Sequence, residues 1–283
     1  MLLAHHFTAP RPLDLSIARQ SCQTSSMRLH FQLQGEGRPL IILHGFLGSL
    51  ENWQAMGKRL AAFYQVYSVD LRNHGRSPHS EAMDYPVMAQ DVRQFIAEHE
   101  LAPPAVLGHS MGGKVAMQLA TQYPREIEKL IVVDIAPKPY PPVHRPMLMA
   151  MRAADLHACK SFGEAGNALG VAIPDPTVRQ FIMKNLTRDG AGEFHWRIGL
   201  DEIIGNYDRI IAPIATEKPF IKPACFIRAG LSNFIQDSDL APIREAFPRA
   251  EFHLIAPAGH WAHIDAADEF HAVVRNFLTP PAS

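Results

Sequence analysis

The fold of this chain turns on Ala105-Val106-Leu107-Gly108-His109-Ser110-Met111-Gly112-Gly113-Lys114-Val115-Ala116-Met117-Gln118-Leu119-Ala120. Ala105, Val106 and Leu107 read as the end of a buried parallel strand. From Met111 onward, Val115, Ala116, Leu119 and Ala120 recur at helical spacing, so a helix packs back onto that strand. Between them Gly108-His109-Ser110-Met111-Gly112 has the G-x-S-x-G pattern of a nucleophile elbow. A turn this tight strains the backbone at its centre, and glycines at 108 and 112 remove the Cβ atoms that would collide with neighbouring backbone. The bend holds the Ser110 hydroxyl at the carboxyl edge of the sheet, over the positive end of the following helix.

Working outward, Arg28–Leu33 alternates like a half-buried strand. Leu40-Ile41-Ile42-Leu43 and Val66-Tyr67-Ser68-Val69 read as buried strands, and a helix runs from about Pro86 to Glu98, with proline in its first turn. After the elbow comes Leu130-Ile131-Val132-Val133-Asp134. Strands alternating with helices imply right-handed crossovers and a mainly parallel sheet covered on both faces. The rhythm breaks after Asp134. Residues 137–221, rich in proline and methionine and without a clear strand, read as a helical cap inserted over the carboxyl edge. The pattern resumes at Ala224–Arg228. A last strand, Glu251–Ile255, leads into Gly259-His260-Trp261, and a helix from Ala266 to Leu278 closes the chain. The core is therefore expected in two pieces, 27–136 and 222–283.

With 283 residues, 47% apolar and 19% charged, the chain has the composition of a soluble globular enzyme. A net charge of -1 lacks the basic face that nucleic acid requires. No apolar run approaches the ~18 residues of a membrane span. The three cysteines, Cys22, Cys159 and Cys225, are far apart and suit free thiols in a reducing, cytoplasmic setting. Fifteen histidines form no H-E-x-x-H or H-x-H pattern, so no metal site is expected. Residues 1–26 carry Arg11, Arg19, prolines and serines but no continuous apolar stretch. They read as a disordered extension or as a start upstream of Met27, with organellar import left open.

Acyl transfer by a serine needs a base, an acid that orients the base, and donors for the oxyanion. In an open α/β sheet these belong in the loops after strands. Ser110 is the candidate nucleophile and His260, in the loop after the last strand, the candidate base. His253, His263 and His271 fall in strand or helix patterns and read as structural. The backbone N–H groups of Met111 and Phe46 are the expected oxyanion donors. The Phe46 side chain then lines the pocket.

Four motifs together resemble the α/β-hydrolase superfamily: His44-Gly45-Phe46-Leu47-Gly48-Ser49, Asp70-Leu71-Arg72-Asn73-His74-Gly75-Arg76-Ser77, the elbow, and Gly259-His260-Trp261. With Asp134-Ile135-Ala136-Pro137 added, the chain is similar to the YbfF-type esterases and their ABHD eleven-like relatives, from about Met27 to Leu278. The resemblance implies an α/β-hydrolase fold with a helical cap and hydrolysis of small or acyl-CoA-like esters or thioesters, without a cofactor. Most of the superfamily carries its acid after the next-to-last strand, where this chain has Ser232. Asp237 and Asp239 follow, but they read as turn and helix-start residues. YbfF-type relatives pair an Asp on the earlier strand with a Ser at the later position, which makes Asp134 the orienting acid and Ser232 its hydrogen-bond partner; Asp237 is the rival.

Arg72 and Arg76 read as scaffolding, with Arg76 locking its loop through backbone carbonyls and Arg72 otherwise free to face an anionic substrate. A few cap residues, from a set that includes Met147, Met151, Phe181 and Trp196, are expected to face the nucleophile with Phe46 and Trp261. The same apparatus also fits a carbon–carbon bond hydrolase or a lactonase. A ligand-sensing or partner-binding protein of this fold is the alternative outside catalysis.

Overall fold

A computed structural model describes residues 27–279 apart from 171 and 217. The expectation for residues 1–26 lies outside the described residues. Up to the insertion the elements are β1 (Phe31–Gln34), β2 (Pro39–Leu43), α1 (Gln54–Leu60), β3 (Gln65–Val69), α2 (Tyr85–Glu98), β4 (Ala105–His109), α3 (Met111–Gln122) and β5 (Lys129–Val133). The insertion holds α4 (Arg145–Ala153), α5 (Phe162–Gly170), α6 (Pro176–Met183), β6 (Leu186–Arg188), β7 (Phe194–Trp196), α7 (Leu200–Gly205) and α8 (Tyr207–Ile211). The chain closes with β8 (Ala224–Ala229), α9 (Leu240–Ala246), β9 (Ala250–Ile255), α10 (Ala262–Asp265) and α11 (Ala267–Leu278).

The main sheet has seven strands in the order β1-β3-β2-β4-β5-β8-β9. Only the β1–β3 pair is antiparallel. Its central strands are apolar on both faces because both faces are covered. Leu40 and Ile42 of β2, Leu107 of β4 and Ile131 of β5 join one core with Met56 and Leu60 of α1 and Phe270 and Val274 of α11. The alternate residues Ile41, Leu43, Val106, Leu130 and Val132 join the opposite core with Met88, Val92 and Phe95 of α2 and Val115 and Leu119 of α3. Because β2, β3, β4, β5, β8 and β9 run parallel, the loops that follow them emerge at one edge.

The 137–221 segment differs from the reading in one respect: it contains a short hairpin, β6–β7. Asp189-Gly190 at its turn is a hairpin signal, and the Asp189 carboxylate accepts the N–H groups of Ala191 and Glu193, both at 2.9 Å. The two ends of the segment meet in a neck, where the Tyr140 N–H donates to the Ile211 carbonyl at 2.9 Å and the Ile214 N–H to the Pro137 carbonyl at 3.2 Å. Lys114, on the elbow helix, is 1% exposed and donates through Nζ to the carbonyls of Lys138 and Ala212, both at 2.7 Å. Burial lowers its pKa to about 7.

Candidate active site

Ser110 sits between β4 and α3 at φ 51°, ψ −120°, a left-handed bend that a serine occupies only under constraint. The neighbouring backbone supplies that constraint. A Cβ at Gly108 would lie 2.1 Å from the Gly112 carbonyl oxygen, and one at Gly112 would lie 2.5 Å from the carbonyl oxygens of Leu43 and His44. The Ser110 N–H donates to the Val133 carbonyl at 3.0 Å, which ties the bend to the next strand.

Asp134 follows β5 and also turns left-handed, at φ 50°. Its carboxylate is 1% exposed and takes three donors. His260 Nδ1 lies 2.8 Å from Oδ2, the Ser232 hydroxyl 2.5 Å from the same oxygen, and the Ala229 N–H 3.3 Å from Oδ1. A carboxylate only accepts, so Nδ1 of His260 carries the hydrogen and Nε2 is left with its lone pair. The ring stacks on Phe234 with centroids 4.1 Å apart. His109 steadies the same loop from beneath, its Nε2–H donating to the His260 carbonyl at 2.8 Å. Burial first, then the neighbouring His260 and His263, keeps the His109 pKa far below the ordinary imidazole value. Asp237 is turned away, with a side chain 89% exposed and paired with Arg228.

The loop after β2 is held by two buried neutral imidazoles. His44 accepts the Leu71 N–H at Nε2 (3.0 Å) and donates from Nδ1 to the Gly45 carbonyl (2.8 Å). His74 accepts the Leu47 N–H at Nε2 (3.2 Å) and donates to the Arg72 carbonyl (2.9 Å). Desolvation lowers their pKa values to about 4 and about 3. Below them Asp70 accepts the N–H groups of Leu50 at 2.7 Å and Arg76 at 2.9 Å.

Arg72 forms a buried two-pronged pair with Asp91, at 2.6 and 2.7 Å, and binds the Ala82 carbonyl at 2.7 Å. It is therefore Arg72, not Arg76, whose side chain locks the loop, and Arg72 has no reach left for a substrate. The Phe46 and Met111 N–H groups donate to no other group among the described residues.

Ser110 and His260 open into one cavity of about 520 Å³ under the insertion, walled by Phe46, Met147, Phe181, Phe234 and Trp261. No hydrogen bond joins the Ser110 hydroxyl to His260 among the described residues; contacts of this kind tighten when substrate binds. His263, read as structural, is 5% exposed, stacks on Trp53 at 4.0 Å, and also borders this cavity. Met151 and Trp196 pack within the insertion, Trp196 donating to the Met151 carbonyl at 3.0 Å. Sequence reasoning missed His109, His144 and Phe234 at this site. A histidine inside the elbow motif and the aromatic two residues after Ser232 were the available signals. Among the described residues no His, Cys, Asp or Glu cluster could hold a metal, and no helix is long and apolar enough to cross a membrane.

Residues 38–164 match the family described as the alpha/beta hydrolase fold. The mouse sn-1-specific diacylglycerol lipase ABHD11 is 35% identical over 247 residues, covering 84% of this chain and 80% of the lipase. The chain belongs to the α/β-hydrolase family. Esterase YbfF of Escherichia coli K12 is 31% identical over 250 residues, covering 87% of this chain and 95% of that enzyme. Among solved structures, a marine microorganism esterase superposes with a TM-score of 0.87 at 38% identity, covering 89% of this chain and all of the esterase. Within the α/β-hydrolase family the chain is thus of the esterase/lipase type.

Proposed function

We propose that this α/β-hydrolase cleaves carboxylic esters, thioesters included, through an acyl-enzyme on Ser110. The observation that carries the reading is the Asp134–His260 hydrogen bond at 2.8 Å, which leaves the His260 Nε2 lone pair for the cavity that Ser110 shares. Ser110 Oγ attacks the acyl carbon while Nε2 of His260 takes its proton. The Phe46 and Met111 N–H groups stabilise the oxyanion. His260 returns the proton to the departing alkoxide or thiolate, then draws a proton from water as that water attacks the acyl-serine, and passes it to Ser110 Oγ as the acyl–oxygen bond breaks and the acid leaves. Asp134 holds the His260 tautomer and stabilises the imidazolium, with Ser232 fixing the carboxylate. The 137–221 insertion acts as a cap that gives the acyl chain an apolar wall and keeps bulk water from the acyl-enzyme.

An alkyl fluorophosphonate should label the wild-type protein and not Ser110→Ala. Substituting Asp134 by Asn should abolish most turnover, whereas Asp237→Asn should not. Equal losses in the two Asn variants would remove Asp134 from the assignment.

A further inference from the structure

We propose that His144 is the group through which the insertion recognises the alcohol half of the ester, its Nε2–H donating a hydrogen bond to a second oxygen carried there. The inference rests on the serine-hydrolase reading above and goes beyond it, since it assigns a specificity residue that takes no part in proton transfer.

His144 stands at the start of α4 and borders the cavity that holds Ser110. Its ring lies 5.7 Å from that of Phe46. Two contacts with one neighbour set its tautomer. The Tyr207 hydroxyl oxygen accepts the His144 backbone N–H at 3.0 Å, and the same hydroxyl lies 3.3 Å from His144 Nδ1. Having accepted from the backbone, the hydroxyl has its own hydrogen to give, and Nδ1 is the partner in reach. The hydrogen of the neutral ring is therefore on Nε2, which has no protein partner among the described residues.

Tyr207 is 1% exposed, so this arrangement is built into the insertion and not into a mobile surface. Burial first, and the nearby His260 second, lowers the His144 pKa, so the ring is a neutral donor at working pH and not a second base. Burial also raises the Tyr207 pKa, which keeps its hydroxyl protonated. His144 and His260 line the same cavity, and the oxygen that His260 protonates as it departs belongs to the alcohol half, so that half is seated against the two imidazoles. A ligand carrying a hydroxyl or ether oxygen there finds a fixed donor. An alkyl alcohol of the same size leaves that donor without a partner.

The test compares 2-hydroxyethyl butanoate with propyl butanoate, which have the same number of heavy atoms and differ in one oxygen. The readout is the ratio of their kcat/KM values, with fluorophosphonate labelling of Ser110 as the control for an intact elbow. His144→Phe should lower the ratio about tenfold. His144→Gln, which restores an N–H at a similar reach, should recover most of it. Tyr207→Phe, which frees the tautomer, should lower it by a smaller factor. A ratio in His144→Phe within about twofold of wild type, or a Gln variant no better than Phe, overturns the inference while labelling upholds the serine reading. Absence of labelling in the wild-type protein overturns both.

Discussion

At the carboxyl edge of the sheet, loops are cross-braced by groups enclosed on every side. His44 and His74 each use both nitrogens on neighbouring backbone, His109 uses Nε2 on the His260 carbonyl, and Asp70, Asp134 and the Arg72–Asp91 pair add further bonds. The insertion overhead is fastened differently. Lys114 and two backbone bonds secure its neck, and Asn185 reaches down to the Leu47 carbonyl at 2.8 Å. The insertion leaves Val143, Met149 and Phe162 exposed. Under the proposed mechanism the difference amounts to a division of labour, with the edge holding the reacting atoms and the insertion selecting what lies beside them. Changes at the edge should therefore cost turnover or folding, and changes in the insertion should alter preference.

The strongest attempt to break this division is Ser110→Ala, which should lower kcat on a p-nitrophenyl ester on the order of 10⁶-fold, measured against an intact circular-dichroism spectrum. Asp134→Asn should cost on the order of 10⁴-fold, since the amide presents a donor to Nδ1 and disrupts the tautomer. Asp237→Asn should remain within about twofold, because that side chain is solvated.

Next comes folding. Gly75 lies at φ 56°, and a Cβ there would stand 2.1 Å from the Asp70 carboxyl carbon. Gly75→Ala should therefore destabilise by about 3 kcal/mol in urea titration, with the added methyl evicting Asp70 from its bonds.

A pH series sharpens the comparison further. His44, His74 and His263 have pKa values lowered from 6.5 to about 4, 3 and 3 by burial. The unfolded chain binds protons near pH 6.5 that the folded protein refuses until pH 3–4. Their contribution is thus complete above pH 6.5 and is lost as pH falls toward 4, at about 1.4 kcal/mol per group per pH unit. His263→Phe should make the urea midpoint less steep between pH 6.5 and 4. An unchanged slope would remove that ring from the set.

A modest effect is expected in the insertion. Phe181 borders the cavity with its ring 5.5 Å from that of Trp261. Phe181→Ala should raise the kcat/KM ratio of octanoate over butanoate p-nitrophenyl esters about fivefold. A large drop in kcat on both esters would contradict the division between edge and insertion.

What could be read from residues alone follows the same boundary. The strand–bend–helix at Ser110 was legible because its signals are local: an apolar run, two glycines and a helical repeat. The contact of Asp134 with His260 and Ser232 was foreshadowed because Ser232 stands where the superfamily usually has an acid and Asp134 ends the preceding core strand. The His109 brace was not, since its partner is a backbone carbonyl 151 residues away. Arg76 seemed the loop's lock because it lies beside the glycine, but Arg72 found Asp91 on α2, and no local pattern announces such a pairing. In the insertion, Asp189-Gly190 flanked by Leu186–Arg188 and Phe194–Trp196 carried a hairpin signal that the surrounding prolines and methionines obscured. His144 was hidden for a different reason, because its chemistry depends on a tyrosine 63 positions along the chain.

The 2.5 Å between the Ser232 hydroxyl and Asp134 has a bearing on ancestry. A lineage that moved its carboxylate from one strand to the other by first acquiring Asp at 232 would hold two carboxylates at hydrogen-bonding distance, sharing one proton and keeping a single negative charge toward the imidazole. A lineage that first lost Asp134 would have no anion there at all. The acid can therefore change strands by way of the shared-proton pair, and not by way of its loss.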